Sequence, residues 1–215
     1  MIIALSVSLI IDSILELVFI KKNYDKGRYI TKPLLVPLII CIYISASSTI
    51  NYMIITALVF GLIGDILLLG PNGNTVFFKA GLASFLAGHF FYIYAFISST
   101  GPLMEISFYY YFFTLPFILG FLLFYVKLGD KLGSMKIPVM IYTGTILFMS
   151  FTSLARGYYV DGFKFWFPFA GSILFLISDF SIAHNIFIEK SGGSSALIMS
   201  AYILAQTLIT IGFIN

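Results

Sequence analysis

Two aspartates lie where a carboxylate is costly. Asp65 sits in the run Phe60-Gly-Leu-Ile-Gly-Asp-Ile-Leu-Leu-Leu69, and Asp179 in Leu174-Phe-Leu-Ile-Ser-Asp-Phe180; each run carries that one charge. Inserting a charged carboxylate at the centre of a bilayer costs about 2.5–3.5 kcal/mol on insertion scales, so such residues face a packed interior or a water-filled cavity and mark candidate sites. Two carboxylates close together titrate as a coupled pair and can divide the roles of general acid and general base. Further polar groups share these apolar surroundings. Asp12 and Glu16 are four residues apart, on one face of a helix. Ser84, His89 and Tyr92 fall within Ser84-Phe-Leu-Ala-Gly-His-Phe-Phe-Tyr92, and His184-Asn185 follows Asp179 by just over one turn.

The composition decides what must hold these groups. In 215 residues, 60% are hydrophobic and 10% charged, with a mean hydropathy of +1.04; that much apolar surface exceeds what one soluble core can cover. The fold class is therefore all-α, a polytopic membrane bundle. The net charge is only +3, and its basic residues cluster in short loops, which reads as membrane topology and not as nucleic-acid binding. A single cysteine, Cys41, excludes an internal disulfide and a cysteine metal cluster; it is expected to pack between helices. Two histidines rule out a three-histidine zinc site. The first 20 residues lack the basic start of a secretory signal and carry Asp12 and Glu16, so they read as a retained span.

A crossing helix needs about 20 mainly apolar residues. That length predicts eight spans in one membrane domain over residues 1–215: 2–20, 33–48, 50–70, 76–98, 106–127, 136–155, 165–189 and 194–214. The second is short, with Pro33 and Pro37 read as part of its first turns. With eight spans, Lys21, Lys22, Lys26, Arg28, Lys32, Lys79, Lys127, Lys131, Lys136 and Lys190 share one side, against Arg156 and Lys164 on the other. This asymmetry orients the chain with both termini outside the cytoplasm. At 1.5 Å per residue, Glu16, Asp65 and His184 lie about 7 Å from the cytoplasmic boundary, Asp12 and Asp179 about 13–15 Å, and His89 about 18 Å. The fifth and sixth spans offer no ionisable residue in their interiors by this reading. The groups of spans one, three, four and seven then line a cavity in the cytoplasmic half.

Gly61 and Gly64 on span three, and Gly81, Ser84 and Gly88 on span four, supply small faces that let helices approach closely. Intramembrane carboxylates also fit the proton relay of a small coupled transporter, and the whole constellation fits a non-catalytic lipid-binding protein.

The blocks Gly61-Leu-Ile-Gly-Asp-Ile-Leu-Leu-Leu69, Phe77-Phe-Lys-Ala-Gly-Leu-Ala-Ser-Phe-Leu-Ala-Gly-His-Phe-Phe-Tyr92 and Ile177-Ser-Asp179, in their order and spacing, resemble the YhhN-like lysoplasmalogenase family of eight-span membrane proteins. The resemblance implies hydrolysis of the sn-1 vinyl ether of a lysoplasmalogen, a lysophospholipid drawn from the surrounding membrane lipids, to a fatty aldehyde and a glycerophospho-headgroup. It implies no organic cofactor; no metal is expected, the metal-dependent alternative being a zinc ion held by His89, His184, Asp65 and Asp179. It also implies catalytic roles for Asp65 and Asp179. On the chemistry, Asp65 is expected to act as acid and Asp179 as the base that orients water. Asp12, Glu16, Ser84, His89, Tyr92, His184 and Asn185 are expected to bind substrate or support the aspartates. Phe180 and His184-Asn185 depart from the small or apolar residues expected after the second motif.

Overall fold

The structure, a computed structural model, describes residues 1–70, 74–100, 105–187 and 195–215. Among these all regular structure is helical: α1 (Ile2–Lys21), α2 (Asp25–Ala46), α3 (Tyr52–Leu68), α4 (Thr75–Ser98), a short α5 (Phe108–Phe112), α6 (Leu115–Leu128), α7 (Lys136–Ala155), α8 (Phe163–Phe187) and α9 (Ser195–Ile211). Helices α1, α2, α4, α7 and α8 are long and apolar enough to cross a membrane, and α3, α6 and α9 are shorter apolar helices. Their outer faces carry large apolar side chains such as Ile3, Ile10, Ile14, Leu123, Val126, Leu197 and Leu204, the pattern of a lipid-facing surface. The protein is a helical membrane bundle.

Two elements depart from the expected spans, both because of proline. Helix α2 starts at Asp25 and not near residue 33, so Pro33 and Pro37 lie inside it, a placement tolerated in membrane helices when neighbours satisfy the freed carbonyls. Lys26, Arg28 and Lys32 are consequently helical residues and not loop residues. What draws the helix back to Asp25 is partners for its polar side chains: Arg28 and Thr31 bond Glu16 of α1, and Lys32 pairs with Asp65 of α3. The expected span 106–127 is instead interrupted after Phe112. Pro116 accounts for this, because its ring clashes with the carbonyl four residues earlier, that of Phe112. The Thr114 hydroxyl donates to the Tyr111 carbonyl at 2.6 Å and satisfies part of the broken turn.

Two further expectations need correction. Cys41 is exposed on α2 instead of packed between helices. Arg156, read as a loop cation, is buried in the 3-10 turn Arg156–Tyr158 that follows α7. The expected end of the seventh span at 189, the start of the eighth at 194, and Lys190 lie outside the described residues.

Helices α3 and α4 form an antiparallel pair, held close by their small faces. A side chain on Gly88 would meet the Ala57 carbonyl at 3.1 Å, and one on Gly81 would meet Leu68 at 3.1 Å. Ser84 donates to the Phe60 carbonyl at 2.6 Å across the same contact, so this residue ties the two backbones together. Caps fix both starts: Asn51 accepts from Met53 and Asn74 from Val76, each at 3.0 Å. Helices α8 and α9 form the second close pair. Here a Cβ at Gly171 would lie 2.8 Å from the Ala205 carbonyl oxygen and 3.0 Å from the Ile209 nitrogen. Those are backbone atoms that cannot swing aside, so Gly171→Ala is expected to destabilise the protein by about 1–3 kcal/mol, read as a lowered midpoint of thermal unfolding in detergent. An unchanged midpoint would show that the pair is not packed this closely.

Candidate active site

The core between α2, α3, α4, α7, α8 and α9 contains two polar clusters, one around each aspartate. Asp179 of α8 retains a side-chain exposure of 11%. Its Oδ2 accepts a short hydrogen bond from the Tyr142 hydroxyl of α7 and lies 3.5 Å from His89 Nε2 of α4. His89 Nε2 also sits 3.0 Å from the Tyr142 hydroxyl, so three helices converge on one carboxylate oxygen. Its Oδ1 makes no hydrogen bond among the described residues. The His89 ring is wedged edge-on against Phe175 with centroids 5.0 Å apart, and its Nδ1 is buried without a partner.

Asp179, Tyr142 and Thr143 supply the polar groups of a cleft whose other walls are apolar: Leu68, Phe78, Leu82, Phe85, Val139 and Ile186 among them. The cleft is slender. Of about 610 Å³ between its walls, mouth included, only about 60 Å³ is wide enough to admit a water molecule. Its lining comes from the last turns of α3 and α8 and the first half of α4 and α7, so it opens at the end of the bundle where Lys21, Lys22, Lys79, Lys127 and Lys131 are exposed. Phe180 stacks on Phe124 of α6 at 5.1 Å and closes one side. The bulky residue after Asp179 is thus a wall of the cleft.

Asp65 is held quite differently. At 1% exposure it is sealed in the core, with Oδ1 3.2 Å from Lys32 Nζ and Oδ2 accepting from the Tyr202 hydroxyl of α9 at 2.6 Å. Gln206 Nε2 donates to that hydroxyl at 3.2 Å, and its carbonyl accepts from Tyr92 of α4. Gly61 makes room for this chain: a Cβ there would lie 2.8 Å from Gln206 Nε2. Asp65 does not line the cleft. Phe85, on the cleft wall, packs edge-on against Tyr202 with centroids 5.9 Å apart, and Phe175 packs on both Tyr202 and His89. The two clusters are therefore separated by aromatic rings.

The remaining expected site residues divide into three groups. His89 joins Asp179, and Tyr92 joins Asp65 through Gln206. Ser84 serves the α3–α4 contact. Glu16, fully buried, binds Arg28 Nε at 3.1 Å and Thr31 at 2.6 Å and so fastens α1 to α2; Asp12 is buried one turn away with its Oδ2 unpartnered. His184 and Asn185 are half-buried near the end of α8 and do not line the cleft. Among the described residues, His, Cys, Asp and Glu side chains nowhere gather in threes that could hold a metal ion.

Lys32, Tyr142, Tyr202 and Gln206 were not read from the sequence. Tyr142 corrects the expectation that the sixth span contributes no ionisable group, and Tyr202 and Gln206 bring in the eighth. Nothing separates the two tyrosines in sequence from the other twelve of the 14 in the chain. Lys32 has a signal, being a cation bordered by the apolar stretch that begins after Pro33, but a proline marks a helix start as readily as a helix interior, and the first reading leaves Lys32 in a loop.

The bovine (Bos taurus) protein named lysoplasmalogenase TMEM86A is 31% identical over 170 residues, which is 75% of this chain and 65% of that protein. This chain thus matches just under two thirds of its relative's length. No solved structure matches the chain. The model of the YhhN family matches residues 27–213, an interval that begins in the first turn of α2 and ends just beyond α9. It contains both polar clusters and the cleft and leaves out only Asp12 and Glu16 of the candidate residues. With nearly the whole bundle inside that interval, the chain belongs to the YhhN family.

Proposed function

We propose that this protein is a lysoplasmalogenase-like hydrolase that cleaves the sn-1 vinyl ether of a lysoplasmalogen to a fatty aldehyde and a glycerophospho-headgroup. The observation that carries the reading is Asp179, tethered through one oxygen by Tyr142 and His89, on the wall of an otherwise apolar cleft. The name of the bovine relative supports the same chemistry.

A vinyl ether is activated by proton transfer to its β-carbon. The ether oxygen then shares a lone pair with the α-carbon as an oxocarbenium ion, water adds to that carbon, and the hemiacetal collapses to aldehyde and alcohol. Asp179 is the carboxyl group with access to a chain in the cleft. In this reading it donates the proton, attracts the oxocarbenium ion as a carboxylate, and takes a proton back from the incoming water, a cycle of general acid and general base on one residue. Tyr142 and His89 engage Oδ2 and leave Oδ1 to the substrate. Asp65, which the sequence reading cast as the acid, is screened from the cleft by Phe85 and Tyr202; we assign it to positioning, through its hold on Tyr202. The slender apolar cleft takes the alkenyl chain. The exposed lysines at its mouth suit a phosphate-bearing headgroup and orient the mouth toward the cytoplasm, with both termini on the far side.

The test is aldehyde release by the purified full-length protein from lysoplasmenyl-ethanolamine, with the saturated ester lysolipid as control. Release from the vinyl ether alone is expected, because the saturated ester has no carbon–carbon double bond whose β-carbon could accept a proton. Fatty acid released from the ester as fast as aldehyde from the vinyl ether would mark a general lysophospholipase, and no aldehyde from folded protein at neutral and mildly acidic pH would reject the proposal.

A further inference from the structure

The opposite end of the bundle contains a second, wider cavity. The α2–α3 connection, the end of α4, the α7–α8 connection and the residues after α9 line it, and it is open to the surface. About 570 Å³ of it admits water, so it is roomy where the cleft is slender.

Arg156 is on its wall and only 4% exposed. Its guanidinium lies over the Phe213 ring, 4.3 Å from the centroid, and 5.6 Å from that of Phe96. Stacking on aromatic faces offsets only part of what removing a cation from water costs. Hydrogen bonds do not make up the difference: Nε and Nη1 are both buried without an acceptor among the described residues. A second cation, Lys164, lines the same cavity, and its Nζ donates to the neutral Asn215 amide oxygen at 3.0 Å. Neither cation makes an ion pair among the described residues. No carboxylate side chain lines the cavity, and Asp161, in the same connection, is exposed and off its wall. Asn51 is also on the lining.

We propose that this cavity binds a phosphate-bearing anion, with Arg156 and Lys164 as its charged ligands. A guanidinium fork matches the paired oxygens of a phosphate, and unsatisfied donors on a buried cation are what such an anion completes. Tyr52 on the lining and Trp166 on α8 are both largely exposed at this end, where aromatic side chains mark the headgroup level of a bilayer. The phosphate can come from a phospholipid headgroup of that leaflet or from a soluble phosphate.

The experiment measures the thermal midpoint of full-length protein in detergent. One arm adds inorganic phosphate against chloride at matched ionic strength; the other adds phosphatidylglycerol in mixed micelles against the uncharged diacylglycerol. A rise in midpoint in the lipid arm assigns the site to a headgroup, and a rise in the phosphate arm alone to a soluble anion. In either case the apparent affinity is expected to fall about tenfold in Lys164→Gln and further in Arg156→Gln, while Asp179→Asn keeps it. Should Arg156→Gln fail to fold, Lys164→Gln decides. No rise in either arm, or a full rise in the variants that fold, overturns the proposal.

Discussion

Asp179→Asn is expected to lower aldehyde release from a lysoplasmalogen by about 10²–10⁴-fold, the range over which a positioned acid or base acts. The amide keeps the shape of the carboxylate, and its oxygen still accepts from Tyr142, so the three-helix junction at this residue persists. What disappears is the proton that must reach the β-carbon. The loss is therefore expected in kcat, with KM little changed, because the apolar lining that binds the chain is untouched. Tyr142→Phe serves as the graded control: it removes the tether and keeps the acid, so its deficit is expected to be smaller. An Asp179→Asn protein that is folded, by size exclusion and thermal unfolding, and turns over near the wild-type rate would remove Asp179 from the chemistry.

The second large effect concerns Asp65 and is one of stability. Lys32→Met leaves a carboxylate at 1% exposure with the Tyr202 hydrogen bond and no cation, and breaking a buried pair from one side costs about 3–5 kcal/mol. The double variant Lys32→Met, Asp65→Leu removes both charges together, and its unfolding midpoint is expected to return close to that of the wild type. It also separates two roles for Asp65. If Asp65 only positions Tyr202, the double variant keeps measurable turnover, reduced by the loosened tyrosine. If Asp65 itself exchanges a proton with substrate, the double variant is stable and inactive, and the positioning role is wrong.

The sequence showed the bundle because apolar run length is a strong signal, and six of the eight expected spans correspond to helices displaced by only a few residues at the ends the structure describes. The two that differ do so at proline, whose reading is ambiguous. Pro33, expected in the first turns of a helix, lies in a helix interior, whereas Pro116, within the expected span 106–127, follows the end of α5. The aspartates stood out because a charge in hydrocarbon is expensive whatever surrounds it. Their partners did not. Tyr142 and Tyr202 look like any interfacial or lipid-facing tyrosine until the fold turns their hydroxyls inward. Helix depth put Asp65 and Asp179 in one half of the bundle but carried no information on lateral distance, so the aromatic layer of Phe85 and Phe175 between them was beyond its reach.

The Lys32–Asp65 pair has a consequence for biosynthesis. The charges of α1 and α2 cancel in part within that hairpin, Glu16 against Arg28, but the Lys32 ammonium finds its counter-charge only on α3. A nascent chain that releases α2 into lipid before α3 has emerged leaves an unpaired cation in the bilayer. Until α3 arrives, Lys32 must reach back to the interface or shed its proton, so the ion pair that fastens the mature core also favours keeping the first three helices together during insertion.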